Sequence, residues 1–189
     1  MAADVTAAHR ELEQAFEDAR VSAFRLETLA EYDDDSEQED LALFLAGQPM
    51  GPRSADTDPW LGRVRRTTRT RGQHWQRVRV VERPLSPYVQ FELASFEANV
   101  DADEDVLVLD RTGYRDAEGL AQDFWLFDEG TPAAYVVWMH YTPGGALLGM
   151  ERTSQPADLA AASARRTYAL ARAIPYRQFM SDTPARRVS

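Results

Sequence analysis

Apolar residues in the first part of the chain recur at helical spacing. Over residues 4–20 they fall every three or four positions on one side, which predicts an amphipathic helix that buries Val5, Ala8, Leu12, Ala15, Phe16 and Ala19. The next segment, SAFRLETLAEY, has fewer apolar positions and predicts a short strand or an irregular link. The acidic run EYDDDSEQED, which overlaps its end, predicts a solvated loop.

Two further helices are predicted from the residues at which they begin and end. Ser36 and Glu39 have the spacing of a capping box, so we expect a short helix over about residues 37–46. The proline- and glycine-rich segment that follows predicts a loop. This loop leads to Asp58, which is followed by a proline. An N-cap residue followed by proline predicts a helix, here over residues 59–71, and Gly72 ends it.

From residue 76 onward the pattern changes to that of strands. QRVRVVER alternates arginine with valine, which predicts a strand with one charged and one apolar side. Four short runs of branched and aromatic residues predict further strands: DVLVLDR, DFWLFDEG, AYVVWMHY and ALLGMER, the last two joined by a turn at PGG. SPYVQFELASF predicts a short helix, and residues 156–180 predict a closing helix that Pro175 ends or kinks.

This order of elements predicts a single-domain α/β (or α+β) fold with a central mixed sheet. Residues 1–58 form an N-terminal helical lead with acidic and Pro/Gly-rich loops, residues 59–180 form the core with its closing C-terminal helix, and residues 181–189 form a disordered tail. The helix between VRVV and VLVL fits a crossover between parallel strands. Both sides of FWLF are apolar, which predicts a central strand covered on both faces.

Composition narrows the classes of function. The 189 residues include no cysteine, which excludes disulfides and thiolate chemistry. The chain shows no apolar run of membrane-spanning length and no signal peptide, so we expect a cytoplasmic protein. Net charge is −10 but uneven: residues 1–40 carry −10, and residues 60–83 carry +7. This asymmetry predicts either contact between the two regions or separate charged partners.

Arginine supplies the strongest candidate chemistry, because all 21 basic residues are arginine. Arg77 and Arg79 share one side of their strand, where two guanidinium groups can bind a phosphate or carboxylate or pair with the chain's own acids. The candidate ligand or interface residues are Arg25, Glu27, Arg77, Arg79, Tyr88, Glu92, Asp128 and His140. Candidates for nucleic-acid contact are Arg63, Arg65, Arg66, Arg69 and Arg71.

The sequence assigns no catalytic residue, no metal ligand and no cofactor. No pair of histidines has the short spacing of a metal motif. A site assembled from His140, Asp123 and Asp128 is an alternative, since zinc accepts such ligands. Asp123 and Asp128 lie five residues apart in a predicted strand, however, so they point to opposite faces and we expect no paired carboxylate site.

The segments FRLETLAEY, VRVVERPLSPYVQFEL, DFWLFDEG and MHY together carry a resemblance. Over roughly residues 16–180 the chain resembles an uncharacterised actinobacterial family whose members are often encoded beside helix-turn-helix regulators. A fainter resemblance is to half of a phospholipase-D-like domain, of which degenerate versions act as sensor or docking domains. The catalytic motif of that fold requires a lysine, and this chain has none.

The preferred interpretation is a non-catalytic regulatory or docking protein that acts through protein partners, such as a helix-turn-helix regulator. The alternative is an enzyme or a binder of a small anionic ligand, using the Arg, Glu, Asp and His candidates above. A third hypothesis is nucleic-acid binding through residues 63–79, against which the negative net charge argues. No membrane partner is expected.

Overall fold

The computed structural model describes residues 5–114, 120 and 122–182, with side chains from residue 9 onward. Within these residues the chain forms six helices and seven strands. Their order is α1 (Val5–Asp18), β1 (Ser22–Glu27), α2 (Gln38–Leu45), α3 (Pro59–Arg71), β2 (His74–Val81), α4 (Pro87–Asp101), β3 (Asp105–Asp110), β4 (Phe124–Phe127), β5 (Tyr135–Tyr141), β6 (Leu147–Thr153), α5 (Pro156–Leu170), β7 (Ile174–Pro175) and α6 (Tyr176–Asp182).

The seven strands form one mixed sheet in the order β6-β5-β4-β1-β2-β3-β7. Strands β1, β2 and β3 are parallel, whereas β4, β5, β6 and β7 pair antiparallel with their neighbours. The register places Arg25 of β1 opposite Arg77 of β2, and Glu27 opposite Arg79. The single-domain α/β fold with a mixed sheet is confirmed, as is the parallel strand–helix–strand unit made by β2, α4 and β3.

The two faces of the sheet are covered differently. One face is apolar and packs against α5, with Phe24, Leu26, Val78, Val80 and Leu126 at its centre. The other face is covered by α1 and α3 at one side and by α4 and α6 at the other. All four residues of β4 are buried, which confirms the predicted central strand with cover on both sides.

Helix α3 begins and ends as predicted, and α2 begins differently. Asp58 Oδ1 accepts hydrogen bonds from the backbone N–H groups of Trp60 and Leu61 at 2.8 and 3.2 Å. The expected capping box at α2 is wrong in detail, because the N-cap residue is Glu37 and its side chain makes no capping bond. Ser36 instead donates to Asp34 in the preceding turn, at 2.7 Å.

The C-terminal part of the chain corrects the prediction of one closing helix. Helix α5 ends at Leu170, before the proline that was expected to end it. Ile174 and Pro175 then pair antiparallel with β3, and α6 follows. Pairing gives partners to backbone groups at the outer edge of β3. The predicted disordered tail falls mostly on residues 183–189, which lie outside the described residues.

Strand β1 lies at the centre of the sheet, so the first 58 residues contribute directly to the core. The loop before it is held by Asp128, whose φ is 50°. Asp128 accepts backbone N–H bonds from Arg20 and Ser22 at 3.0 Å and from Val21 at 2.7 Å. This carboxylate therefore fixes the entry to β1.

Replacing Asp128 tests that assignment. We expect Asp128→Ala to lower the free energy of unfolding by about 2 kcal/mol, because three backbone N–H groups lose a charged acceptor. Asp128→Asn keeps one acceptor oxygen and tolerates the positive φ, so its loss should be about half as large. Urea denaturation measures both values. A loss close to zero in both variants would show that the carboxylate does not anchor this loop.

Candidate functional site

Seven charged side chains meet over the middle of the sheet and form what we call the charged layer. The alternation of β1 and β2 places four of them on one face, and the other three come from α4, from the residue before β3 and from the residue before β4. The charged layer consists of Arg25, Glu27, Arg77, Arg79, Glu92, Glu104 and Asp123, of which all except the partly buried Arg77 are at most 8% exposed.

Arg79 is the most deeply buried member of the charged layer, with no exposed surface. Its Nε and Nη2 atoms donate to Glu92 Oε2 at 2.8 and 2.5 Å. Nη1 donates to the carbonyl oxygens of Leu29 and Val80 at 2.7 and 3.2 Å. The guanidinium group also lies 5.3 Å from the ring centroid of Tyr32. The protein itself therefore uses the donors of Arg79.

Arg77 joins two carboxylates on either side of it. Its Nε donates to Glu104 at 2.8 Å, and its Nη1 donates to both oxygens of Glu27 at 2.9 and 3.0 Å. Asn99 donates from Nδ2 to the second oxygen of Glu104 at 2.7 Å. Both oxygens of Glu27 and of Glu104 thus receive hydrogen bonds, as buried carboxylates require.

Arg25 connects the layer to the aspartate before β4. Its Nη2 donates to Asp123 at 3.1 Å and to the Tyr141 hydroxyl at 3.2 Å. Asp123 also accepts from Thr28, at 2.9 Å from the backbone N–H and 2.7 Å from the hydroxyl. Tyr32 donates its hydroxyl proton to the other oxygen of Asp123. Asp123 is therefore a structural acceptor at the end of β1.

Charge in the layer does not balance. Three guanidinium groups face four carboxylates, and the half-buried Glu37 adds a fifth at the edge. Burial raises the pKa of Glu92 to about 8 against the opposing effect of Arg79, and Glu27 and Glu37 raise it further. Burial also raises the pKa of Glu37. Burial, and in addition the neighbouring negative charges, thus favour protons on these two groups.

Glu27 differs from Glu92 although both are buried. Burial alone would favour its neutral form, but Arg77, Arg25 and Arg79 together lower the pKa of Glu27. The reason lies in position: Glu27 stands between the arginines, whereas Glu92 contacts one arginine from the helix side. The layer therefore has a fixed anionic centre and a titratable edge.

A cavity of about 540 Å³ opens above the charged layer, and we call it the central cleft. Arg25, Glu27, Arg77 and Glu92 form part of its lining together with aromatic side chains. The aromatic residues of the lining are Phe16, Tyr32, Trp60, Tyr88, Phe96, Trp125 and Tyr141. Its remaining acidic residues come from the segment before α2: Asp33, Asp34, Asp35 and Glu37. The cleft is therefore aromatic in its walls and acidic on balance.

The acidic segment is attached to the cleft by specific bonds. Tyr88 donates its hydroxyl proton to Glu37 at 2.6 Å, and Asp33 donates its backbone N–H to the carbonyl of Gly145 at 3.1 Å. Gly145 has φ of 86°, and a Cβ atom there would lie 2.4 Å from the carbonyl oxygen of Glu31. Glycine in the β5–β6 turn thus allows the acidic segment to approach the sheet.

Of the eight predicted ligand or interface residues, six come together and two do not. Arg25, Glu27, Arg77, Arg79, Tyr88 and Glu92 surround the central cleft or the layer beneath it. Asp128 lies at the opposite end of β4 from Asp123, and His140 is exposed, with Nε2 4.0 Å from Glu151. Among the described residues, no group of three or more acids and histidines is placed to hold a metal ion.

The arginines proposed for nucleic-acid contact lie along α3, and three of the five pair with the chain's own acids. Arg63 donates to Glu13 at 2.6 Å, Arg65 to Asp56 at 2.5 Å, and Arg69 to Asp103 at 2.8 Å. The remaining two, Arg66 and Arg71, are exposed. Part of the basic charge of this helix is thus neutralised within the molecule.

A double-mutant cycle on Arg79 and Glu92 tests the buried ion pair. We expect Arg79→Met to lower the free energy of unfolding by about 3 kcal/mol at about pH 9, above the pKa of Glu92, because it leaves the ionised Glu92 buried without its cation. Combining it with Glu92→Leu should recover part of that loss. Urea denaturation measures each variant, and Arg177→Met, which removes an exposed arginine, is the control and should change stability little. Strict additivity would contradict the pairing.

Titration of Glu92 gives a second test of the charged layer. Its pKa rises from 4.5 to about 8 on folding, so the folded protein holds an extra proton between these pH values. The free energy of unfolding of the wild type, relative to Glu92→Gln, should therefore fall as pH rises from about 5 to 8. Denaturation across this pH range measures the difference. A difference that increases with pH would show that the pKa of Glu92 is lowered instead.

None of the helices in the described part of the chain combines the length and the apolar character of a membrane-spanning segment.

Comparison with known proteins supplies a family but no activity. No curated protein and no solved structure matches the chain, so the faint likeness to phospholipase-D-like domains gains no support. The family described as "Domain of unknown function (DUF6879)" matches residues 10–181, which is most of the 189 residues. This match agrees with the uncharacterised family expected from the sequence. The chain belongs to the DUF6879 family.

Proposed function

We propose that this protein is a non-catalytic recognition module whose central cleft receives a cationic group of a protein partner. The observation that carries the proposal is the excess of negative charge at the cleft. Six carboxyl groups line it, against the guanidinium groups of Arg25, Arg53 and Arg77. Even without Glu37 and Glu92, whose pKa values are raised, four acids face three arginines. A cation that enters the cleft reduces this excess, whereas an anion increases it.

The lining has the chemistry to hold an amine or a guanidinium group. Glu37 and Glu92 supply carboxylate oxygens, and rings such as those of Tyr32, Trp60 and Trp125 supply π faces. Cations bind favourably over aromatic faces, most strongly over tryptophan, when they are removed from water. Because the pKa of Glu92 and of Glu37 is raised, a cationic ligand should displace protons from these groups.

The hydrogen bonds that the arginines already make argue against a site for an anionic ligand. A phosphate or carboxylate ligand needs guanidinium donors that are available to it. Arg79 gives its donors to Glu92 and to backbone carbonyls, and Arg77 bridges Glu27 and Glu104. We therefore do not propose the small-anion alternative, or an enzyme that would act on such a substrate, or nucleic-acid binding through α3.

A protein is the partner class that we propose. The sequence resemblance implies an actinobacterial family encoded beside helix-turn-helix regulators, and such regulators carry basic residues to neutralise DNA phosphates. A partner of this kind offers the positive charge that the cleft lacks. The role is regulatory docking, with the acidic segment 31–40 and the lining of the central cleft on the contact surface.

Binding of matched peptides tests the proposal. We expect an arginine-containing peptide and the small compound N-acetylarginine amide to bind the full-length protein, and a glutamate-containing peptide of the same length not to bind. Affinity for the basic peptide should fall as salt concentration rises, because exposed charges contribute to it. Isothermal titration calorimetry at two salt concentrations measures these affinities.

Variants of the acidic segment locate the binding site. Replacing Asp33, Asp34 and Asp35 together by asparagine should weaken binding of the basic peptide roughly tenfold, at about 0.5 kcal/mol per exposed charge. The control removes three acids outside the cleft lining: Glu82→Gln, Glu151→Gln and Asp182→Asn. Equal weakening in both triple variants, or no binding of either cationic probe, would contradict the proposal.

A further inference from the structure

Helix α2 carries apolar side chains that the protein does not bury. Five of its eight residues are apolar: Leu41, Ala42, Leu43, Phe44 and Leu45. Alone among the six helices of the described residues, α2 contains no buried residue. Leu45 is 59% exposed, the largest exposed fraction of any large apolar side chain in the described part of the chain. Contiguous apolar surface of this kind marks a place where another molecule binds.

Helix α2 contacts α4 along one side. The ring centroids of Phe44 and of Phe91 in α4 lie 5.9 Å apart, and Tyr88 donates its hydroxyl proton to Glu37 just before α2. Glu37 and Phe44 are about two helical turns apart, which puts them on the same side of the helix. Leu45 follows Phe44 at about 100° around the helix axis, so it lies outside this contact. A helix of 8 residues is marginal in water by itself, and further cover would stabilise α2.

A cavity of about 720 Å³ adjoins α2, and we call it the lateral groove. Its apolar lining includes Met50 of the loop after α2 and Phe91, Ala94 and Ala98 of α4. Because Phe91 also contacts Phe44, the groove and the apolar residues of α2 are neighbours. Ala94 and Ala98 lie one turn apart on the same side of α4, and their short side chains allow another helix to pack closely against it.

The charge around this apolar surface indicates the chemistry of the molecule that covers it. Five acids line the lateral groove against the single guanidinium group of Arg53: Glu37, Asp40, Asp58, Glu97 and Asp101. The exposed Glu39 adds a sixth acid in the first turn of α2, and Arg177, which pairs with Glu97 and Asp101, adds a second arginine. Six acids thus face two arginines, so a complementary partner is basic.

An amphipathic helix laid into a groove is a recurring mode of recognition, in which apolar side chains at helical spacing fill the groove. A second copy of the chain does not offer such a helix among the described residues, because the arginine-rich α3 already buries Leu61 and Val64. We propose that α2 and the lateral groove bind an amphipathic basic helix of a protein partner. This inference goes beyond the proposed function, which concerns the central cleft, and shares with it the class of partner.

The test compares three designed peptides of about 18 residues, long enough for a helix of about five turns. The first has leucines along one side of the helix and lysines on the other. The second has the same residues in an order that scatters the leucines, and the third has glutamate in place of lysine. We expect the first to bind the full-length protein about tenfold more tightly than either other peptide, by isothermal titration calorimetry. It should also slow hydrogen exchange of the amides of α2.

Two pairs of variants locate the contact. Leu45→Ser should weaken binding of the first peptide about tenfold, because the partner buries this leucine. Leu148→Ser is the matched control, since Leu148 is a 51% exposed leucine of β6, and it should leave the affinity unchanged. Ala94→Arg adds bulk and positive charge to α4 and should also weaken binding about tenfold, whereas Ala161→Arg on α5 should not. All four side chains are exposed, and circular dichroism checks that each variant folds.

The outcomes separate this inference from the proposed function. Equal affinity of the first two peptides, or equal effects of Leu45→Ser and Leu148→Ser, would overturn the helix site and leave the central cleft as proposed. Binding of the first peptide without binding of N-acetylarginine amide would support the helix site and contradict the cleft. If neither basic peptide binds, the helix site is wrong. A dimeric protein that Leu45→Ser makes monomeric, by analytical ultracentrifugation, would show that a second copy covers α2 and would also overturn the proposal.

Discussion

Buried charge has to be paired, and this constraint organises the functional side of the molecule. Removing an ion from water costs several kcal/mol unless its hydrogen bonds are replaced. Arg79 has no exposed surface, so it requires Glu92 and the carbonyl of Leu29 in fixed positions. Those partners belong to α4 and to the segment after β1. One buried guanidinium group thus determines where a helix and a connecting segment lie relative to the sheet.

The charged layer also explains why a cleft exists. On this face of the sheet the apolar side chains form two separate clusters, one under α1 and α3 around Trp75 and Trp125, and one under α4 and α6 around Val81 and Phe96. Helices cover each cluster because apolar surface is driven out of water. The strip of arginines and carboxylates between them gives no such driving force, so the helices remain apart and the cleft lies there.

The sequence predicted the fold better than the site because its patterns are local. Alternation in QRVRVVER placed Arg77 and Arg79 on one side, and the N-cap position of Asp58 was clear from the adjacent proline. Asp123 and Glu104 were missed as layer members because each is far in sequence from its arginine, and only the strand order brings them together. The acidic run before α2 was visible in the sequence. The hydrogen bond from Tyr88 that holds this segment at the cleft depends on the packing of α2 against α4, which the sequence does not reveal.

The arginines in this site bind the protein's own carboxylates, so they orient the acids and do not serve as a ligand site themselves. Arg77 holds Glu27 and Glu104 rigidly, while Glu92 and Glu37 stand at the edge of the layer with raised pKa values. A site whose acids are already oriented loses little conformational freedom when a cation arrives, which favours binding. In the function that we propose, a cationic partner displaces the protons that the raised pKa values of Glu92 and Glu37 favour in the free protein. On that proposal recognition depends on pH, because a proton and the partner compete for the same carboxylates.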